Sequence, residues 1–86
     1  MKIYFNKNFD RKFKKLDQKI KKQFFSRLLF FEKNPFAVQL NNHPLKGKFI
    51  GYRSINVTGD FRAIFKQLDK DSVEFTTIDT HSNLYF

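Results

Sequence analysis

The chain has no cysteine, no tryptophan, three glycines and two prolines. Without cysteine there are neither disulfides nor thiolate metal sites, and a reducing cytoplasm is the expected setting. The glycines stand alone, which excludes a Gly-rich phosphate loop. No apolar run approaches the roughly 20 residues that span a bilayer. The opening "MKIYFNKNFD" lacks the apolar segment of a signal peptide, so neither secretion nor a membrane partner is expected. The two histidines, His43 and His81, are distant in sequence with no carboxylate at ligand spacing nearby. That falls short of a usual ligand set, and neither a metal nor a cofactor is expected. Negative charge is also scarce, with eight acidic residues against seventeen Lys and Arg and a formal net charge of +9.

What is present fits one domain over residues 1–86. Hydrophobic residues make up 41%, thirteen of them phenylalanine. That is enough apolar area for one core in a chain this short. The positive charge is uneven. Up to Lys33 there are eleven basic and three acidic residues; beyond it there are six and five. Such an excess suggests a polyanionic partner: nucleic acid, an acidic membrane surface or an acidic protein. The plainer reading is a lysine-rich helix face turned to water.

Periodicity gives the architecture. "MKIYF" reads as a first strand. Phe9, Phe13 and Leu16 then recur at helical spacing, with Asn6 or Asn8 as a cap. Asp17 caps a second helix with an apolar stripe of Ile20, Phe24, Leu28 and Phe31, and "NP" at Asn34–Pro35 stops it. Residues 36–48 read as a loop. The period then changes to two. "FIGYRSINV", "FRAIFKQL" and "SVEFTTID" are strands joined by "TGD" and "DKD" turns. Alternation puts Phe61, Ala63 and Phe65 on one face of the middle strand. It also sets Asn56 on the side of Ser54 and Tyr52, away from Ile55 and Val57. The expected fold is α+β: an N-terminal strand, a helical hairpin, then a three-stranded antiparallel meander with the helices on one face.

Acid–base and cationic groups gather at loop and strand-end positions: His43, Lys46, Lys48, Asp60, Arg62 and His81. Each has a plain reading. His43 is an exposed loop residue, Asp60 serves its turn, Arg62 is a cross-strand ion-pair partner, and His81 caps a strand. Tyr85 and Phe86 pack over the sheet edge. Together the group describes a positive site with two side chains titrating near neutrality, which suits phosphodiester cleavage.

The series "HPLKGKFIGYRSINVTGDFRAIF" followed by "THSNLYF" resembles the YafQ branch of the RelE/ParE toxin superfamily. The resemblance lies in H-P-L-K-G, G-Y-R, an aspartate opening the next strand, and T-H-S-x-L with a following aromatic, over residues 43–86. It implies a RelE-like fold and a type II toxin, a metal-independent endoribonuclease that cuts mRNA on the ribosome. In that family the ribose 2′-hydroxyl attacks the adjacent phosphate. The acid–base positions carry over to His43, Asp60 and His81, the base-holding aromatic to Tyr85, and the phosphate-binding arginine to Arg62. Lys46 and Lys48 add cationic support. The resemblance further implies a cognate antitoxin and toxin–antitoxin oligomers. One position departs. Where relatives carry another histidine the chain has Asn56, which can orient RNA but cannot titrate, so weakened activity is expected. The alternatives on the same fold are a non-catalytic or gyrase-inhibiting ParE-like toxin, or a basic RNA-binding module.

Overall fold

The computed structural model describes residues 1–85. The chain forms β1 (Lys2–Phe5), α1 (Lys7–Lys14), α2 (Gln18–Lys33), β2 (His43–Pro44), β3 (Arg53–Asn56), β4 (Phe61–Asp69), β5 (Ser72–Thr80) and α3 (His81–Leu84). The five strands make one sheet in the order β1-β5-β4-β3-β2. β1 runs parallel to β5, and the remaining pairs are antiparallel. This is the expected α+β arrangement of strand, helical hairpin and meander.

Both helices start at a side-chain cap. The Asn6 carboxamide oxygen accepts from the Phe9 N–H at 2.9 Å, and the Asp17 carboxylate accepts from that of Ile20 at 3.0 Å. Each cap satisfies one of the donors a helix start leaves unpaired. α2 ends at Asn34, held extended (φ −156°, ψ 100°) ahead of Pro35, whose ring disfavours helical backbone in the residue before it. The helices cover one face of the sheet. Phe9, Phe24 and Phe31 meet Ile55, Val57, Ala63, Phe65, Val73, Phe75 and Ile78 there. Phe75 is the hub: its ring centroid lies 5.4 to 5.9 Å from those of Phe65, Phe31, Phe24, Phe5 and Phe9. Truncating so central a ring to alanine costs about 3–5 kcal/mol.

Two expectations need correction. Residues 36–48 are not a plain loop. They hold two short 3-10 turns, Val38–Leu40 and Gly47–Phe49, and the edge strand β2, whose His43 pairs with Ser54 of β3. Side chains pin this segment. Arg27 donates to the Gln39 carbonyl at 3.0 Å, the Asn42 amide to that of Pro35 at 2.9 Å, and Arg53 Nε to the Asn42 carboxamide at 2.7 Å. The Arg53 guanidinium also lies 5.2 Å above the Phe36 ring. Nor is the strand expected over residues 49–57 that long. Gly51 has φ +89°, a conformation that takes the chain out of a strand, and pairing begins only at Arg53.

β5 also breaks strict alternation. Val73, Phe75 and Ile78 all belong to the helix-side core. Ile64 lies opposite Thr77 and Phe65 opposite Phe75, so Thr76 is the extra residue of a bulge that changes which side chains face the helices. The opposite face of the sheet carries a smaller apolar cluster. There Leu45, Ile64 and Leu84 are buried against Phe49, Tyr52 and Tyr85.

Candidate active site

The chain's ionisable loop residues converge on that second face. β5 ends at Thr80, and α3 follows at once, started by the Thr80 hydroxyl accepting from the Asn83 N–H at 3.2 Å. Burial of Leu84 with Ile64 and Leu45 holds α3 on the sheet. A hollow of about 440 Å³ opens between α3 and the β2 segment, lined by Asn41, His43, Lys46, Arg62, His81 and Tyr85, among others. The two histidines thus share one cavity despite their separation in the sequence.

His43 is half-buried, and its Nδ1 lies 2.7 Å from the Asn41 carbonyl oxygen. A carbonyl can only accept, so Nδ1 carries the proton and the neutral ring keeps its lone pair on Nε2. Asn41 adopts φ +47°, ψ +49°, a left-handed conformation that asparagine tolerates better than most residues. The His81 backbone N–H donates to the Asp60 carbonyl at 2.9 Å. Its exposed ring packs beside that of Tyr85, centroids 4.7 Å apart at 52°. Tyr85 reaches Phe49 at 6.3 Å, so it packs and lines the hollow at once. The expectation for Phe86 lies outside the described residues.

Arg62 is not a cross-strand ion pair. Asp79 lies opposite it in register but binds the Lys12 ammonium at 3.1 Å. The Arg62 Nη1 instead donates to the carbonyls of Thr58, Gly59 and Phe61 at 3.0 to 3.2 Å. Its other two guanidinium nitrogens have no partner among the described residues. Asp60 is exposed on the β3–β4 turn and does not line the hollow. The turn does not depend on its carboxylate, because the Thr58 hydroxyl accepts from the N–H groups of both Asp60 and Phe61. Asn56 lies on the Ser54 face as alternation indicated, directly opposite Arg62. Its carboxamide oxygen is buried with no partner among the described residues. Lys46 lines the hollow. Lys48 does not; it borders a separate groove beyond α3.

Asn41 and Thr58 escaped the sequence reading. Their signals were available: asparagine two residues before His43, and "TGD" as a hydroxyl-centred turn. The Asp79 carboxyl, at the end of β5, is displaced from its ordinary titration. Partial burial opposes its ionisation, but the Asn83 amide, the Thr80 N–H and the Lys12 ammonium outweigh that and hold its carboxyl below its ordinary value. Among the described residues Lys12 is the one basic side chain in direct contact with a carboxylate, and the net charge of +9 remains.

The arrangement has known counterparts. Its fold matches that of RelE-like toxins. The chain superimposes on RelE in the RelB–RelE antitoxin–toxin complex from Methanococcus jannaschii with a TM-score of 0.73 and 18% identity, covering 95% of this chain and 94% of that one. YafQ from E. coli strain BL21(DE3) matches with a TM-score of 0.73, 25% identity and coverage of 98% and 97%. The E. coli DinJ–YafQ toxin–antitoxin complex matches with a TM-score of 0.71, 27% identity and coverage of 98% and 96%. No curated protein matches by sequence. The model of the family described as "Bacterial toxin of type II toxin-antitoxin system, YafQ" matches residues 1–86, and the chain belongs to that family.

Proposed function

We propose that the whole chain acts as a single toxin domain in the cytoplasm: a metal-independent endoribonuclease that cleaves mRNA on the ribosome and is held inactive by a cognate antitoxin. The observation that carries this reading is the shared hollow of His43, His81, Arg62, Lys46 and Tyr85. Two imidazoles stand beside two cations and an aromatic ring. In the reaction a base removes the 2′-hydroxyl proton, the 2′ oxygen bonds to the adjacent phosphorus, and the bond to the 5′ oxygen breaks as an acid protonates it. A 2′,3′-cyclic phosphate and a 5′-hydroxyl result. The free Nε2 lone pair suits His43 to proton abstraction, and exposed His81 suits delivery to the leaving oxygen. Asp60, joined to His81 through the backbone, supports that histidine's charge. Arg62 directs its unused nitrogens at the phosphate, Lys46 adds charge, and Tyr85 stacks on a base.

The antitoxin assignment is supported by the DinJ–YafQ and RelB–RelE assemblies among the structural relatives. An acidic protein partner would neutralise the unpaired lysines. The test is primer extension on mRNA after induced expression. Ribosome-dependent 5′ ends that vanish with His43→Ala and His81→Ala are expected. Toxicity kept in the double mutant would favour the gyrase-directed alternative.

A further inference from the structure

A second hollow lies on the far side of α3 from the first. It encloses about 180 Å³ between α1 and α3, and its walls include Lys12, Lys48, Asn83, Thr76 and Thr77. We propose that this groove is a second phosphate subsite, which grips the backbone of an RNA strand one step away from the catalytic hollow. The proposal rests on the ribonuclease reading for the identity of the polyanion and on independent observations for the site.

The first observation is the bulge. β1 pairs with β5 only as far as Phe75, and beyond it side chains of α1 take over the edge, the Asn8 amide donating to the Thr76 carbonyl at 3.2 Å and Lys12 to the Asp79 carboxylate at 3.1 Å. The bulge falls at that point and lets Thr76 and Thr77 both border the groove. The second is unspent hydrogen bonding. Thr77 is 4% exposed, and the hydroxyl oxygens of Thr76 and Thr77 are buried without a partner among the described residues. A buried hydroxyl without a partner is unfavourable, and a phosphate oxygen settling on the groove floor supplies the missing acceptor. The third is charge. Lys48 has no carboxylate partner among the described residues; its ammonium rests 5.3 Å from the Phe49 ring. The Asp79 carboxylate is paired with the Lys12 ammonium at 3.1 Å, so those two charges offset each other and Lys48 is the uncompensated cation of the groove. That carboxylate is filled by Lys12, Asn83 and the Thr80 N–H, and so acts as the brace that holds Lys12 and Asn83 at the groove.

Two segments join the hollows. The stretch Lys46–Phe49 gives Lys46 to the first and Lys48 to the second, and α3 gives His81 to one and Asn83 to the other. A strand crossing α3 therefore meets both in sequence. Gripping a phosphate outside the catalytic hollow fixes the register of the scissile one without touching it.

The test uses 2′-O-methylated RNA, which cannot be cleaved, and compares a long strand with a single-phosphate dinucleotide. Lys48→Ala is expected to weaken the long strand roughly tenfold. It should also lower the magnitude of the log–log salt slope by about 0.7, leaving the dinucleotide unchanged. Thr77→Val, nearly isosteric, should weaken the long strand several-fold with an unchanged or raised thermal midpoint. Lys22→Ala, the same charge change on an exposed part of α2, should do neither. Equal effects of Lys48→Ala and Lys22→Ala would mean diffuse attraction and overturn the subsite. So would equal losses for the long strand and the dinucleotide. Groove-dependent binding by a wild type that cleaves nothing on the ribosome would support the subsite and sink the ribonuclease reading. Cleavage by a wild type indifferent to Lys48→Ala would do the reverse.

Discussion

The backbone of His81 donates to the carbonyl of Asp60 at 2.9 Å, tying the start of α3 to the β3–β4 turn. Because Thr58 supplies the turn's side-chain bonds, the Asp60 carboxylate is free of structural duty. Asp60→Asn keeps the backbone link and removes only the charge. It should lower kcat by about 10–100-fold with the thermal midpoint within a degree or two. Comparable losses in thermal stability and activity would return Asp60 to the turn.

The proton on His43 is fixed by its neighbour. Nitrogen-15 spectra at pH above the histidine titration should show the Nδ1–H tautomer, because the Asn41 carbonyl takes that hydrogen. His43→Ala should lower cleavage by roughly 10²-fold or more and leave folding intact, since the side chain is outside both apolar clusters. An Nε2–H tautomer in the free protein would remove His43 as the base.

How much of this was legible follows from the range of each signal. Caps at Asn6 and Asp17, the helix stop at Pro35 and the period of the meander are local, and each stood in the sequence. The parallel seating of β1 against β5 is a pairing across nearly the whole chain, which no local pattern encodes. The bulge at Thr76 was hidden because "FTTI" reads as ordinary alternation until the core claims Ile78. At the site the residue types were legible and their distribution was not. Lys46 and Lys48 sit two residues apart, yet the 3-10 turn at Gly47–Phe49 sends them to different hollows. Asp60 was grouped with the histidines and Asn56 was expected to orient RNA, and both lie outside the lining of the hollow.

Asp79 sets an acid limit on stability. Its carboxyl titrates below the ordinary value in the folded protein, so the folded state binds fewer protons than the unfolded one as pH falls toward 4. Its contribution is complete above the unfolded value, about 4, and is lost as pH drops through the lower folded value. Urea midpoints should therefore fall more steeply below about pH 4 in the wild type than in Asp79→Asn. At neutral pH the variant should lose about 1 kcal/mol, as expected for a partly exposed ion pair. Parallel acid limbs would show that the Lys12–Asp79 contact contributes nothing in solution.

Asn56 is the position where the resemblance implies a histidine, and the structure gives it a physical setting. Its side chain is half-buried on the site face, opposite Arg62, with a carboxamide oxygen that no described group satisfies. A carboxamide there can hydrogen-bond but cannot move a proton. On the proposed reading, His43, Asp60 and His81 share the two proton transfers. Asn56→His restores a group that titrates near neutral pH beside a cation that favours its neutral, basic form. Single-turnover cleavage of ribosome-bound mRNA should rise by about one to two orders of magnitude. The imidazole is larger than the carboxamide, so rates are compared at equal thermal stability, with Asn56→Gln as a control that adds bulk without titrating. A gain in both variants would trace the effect to packing. A wild type already as fast as Asn56→His would make the carboxamide a competent partner in its own right, with Arg62 rather than a third histidine completing the site.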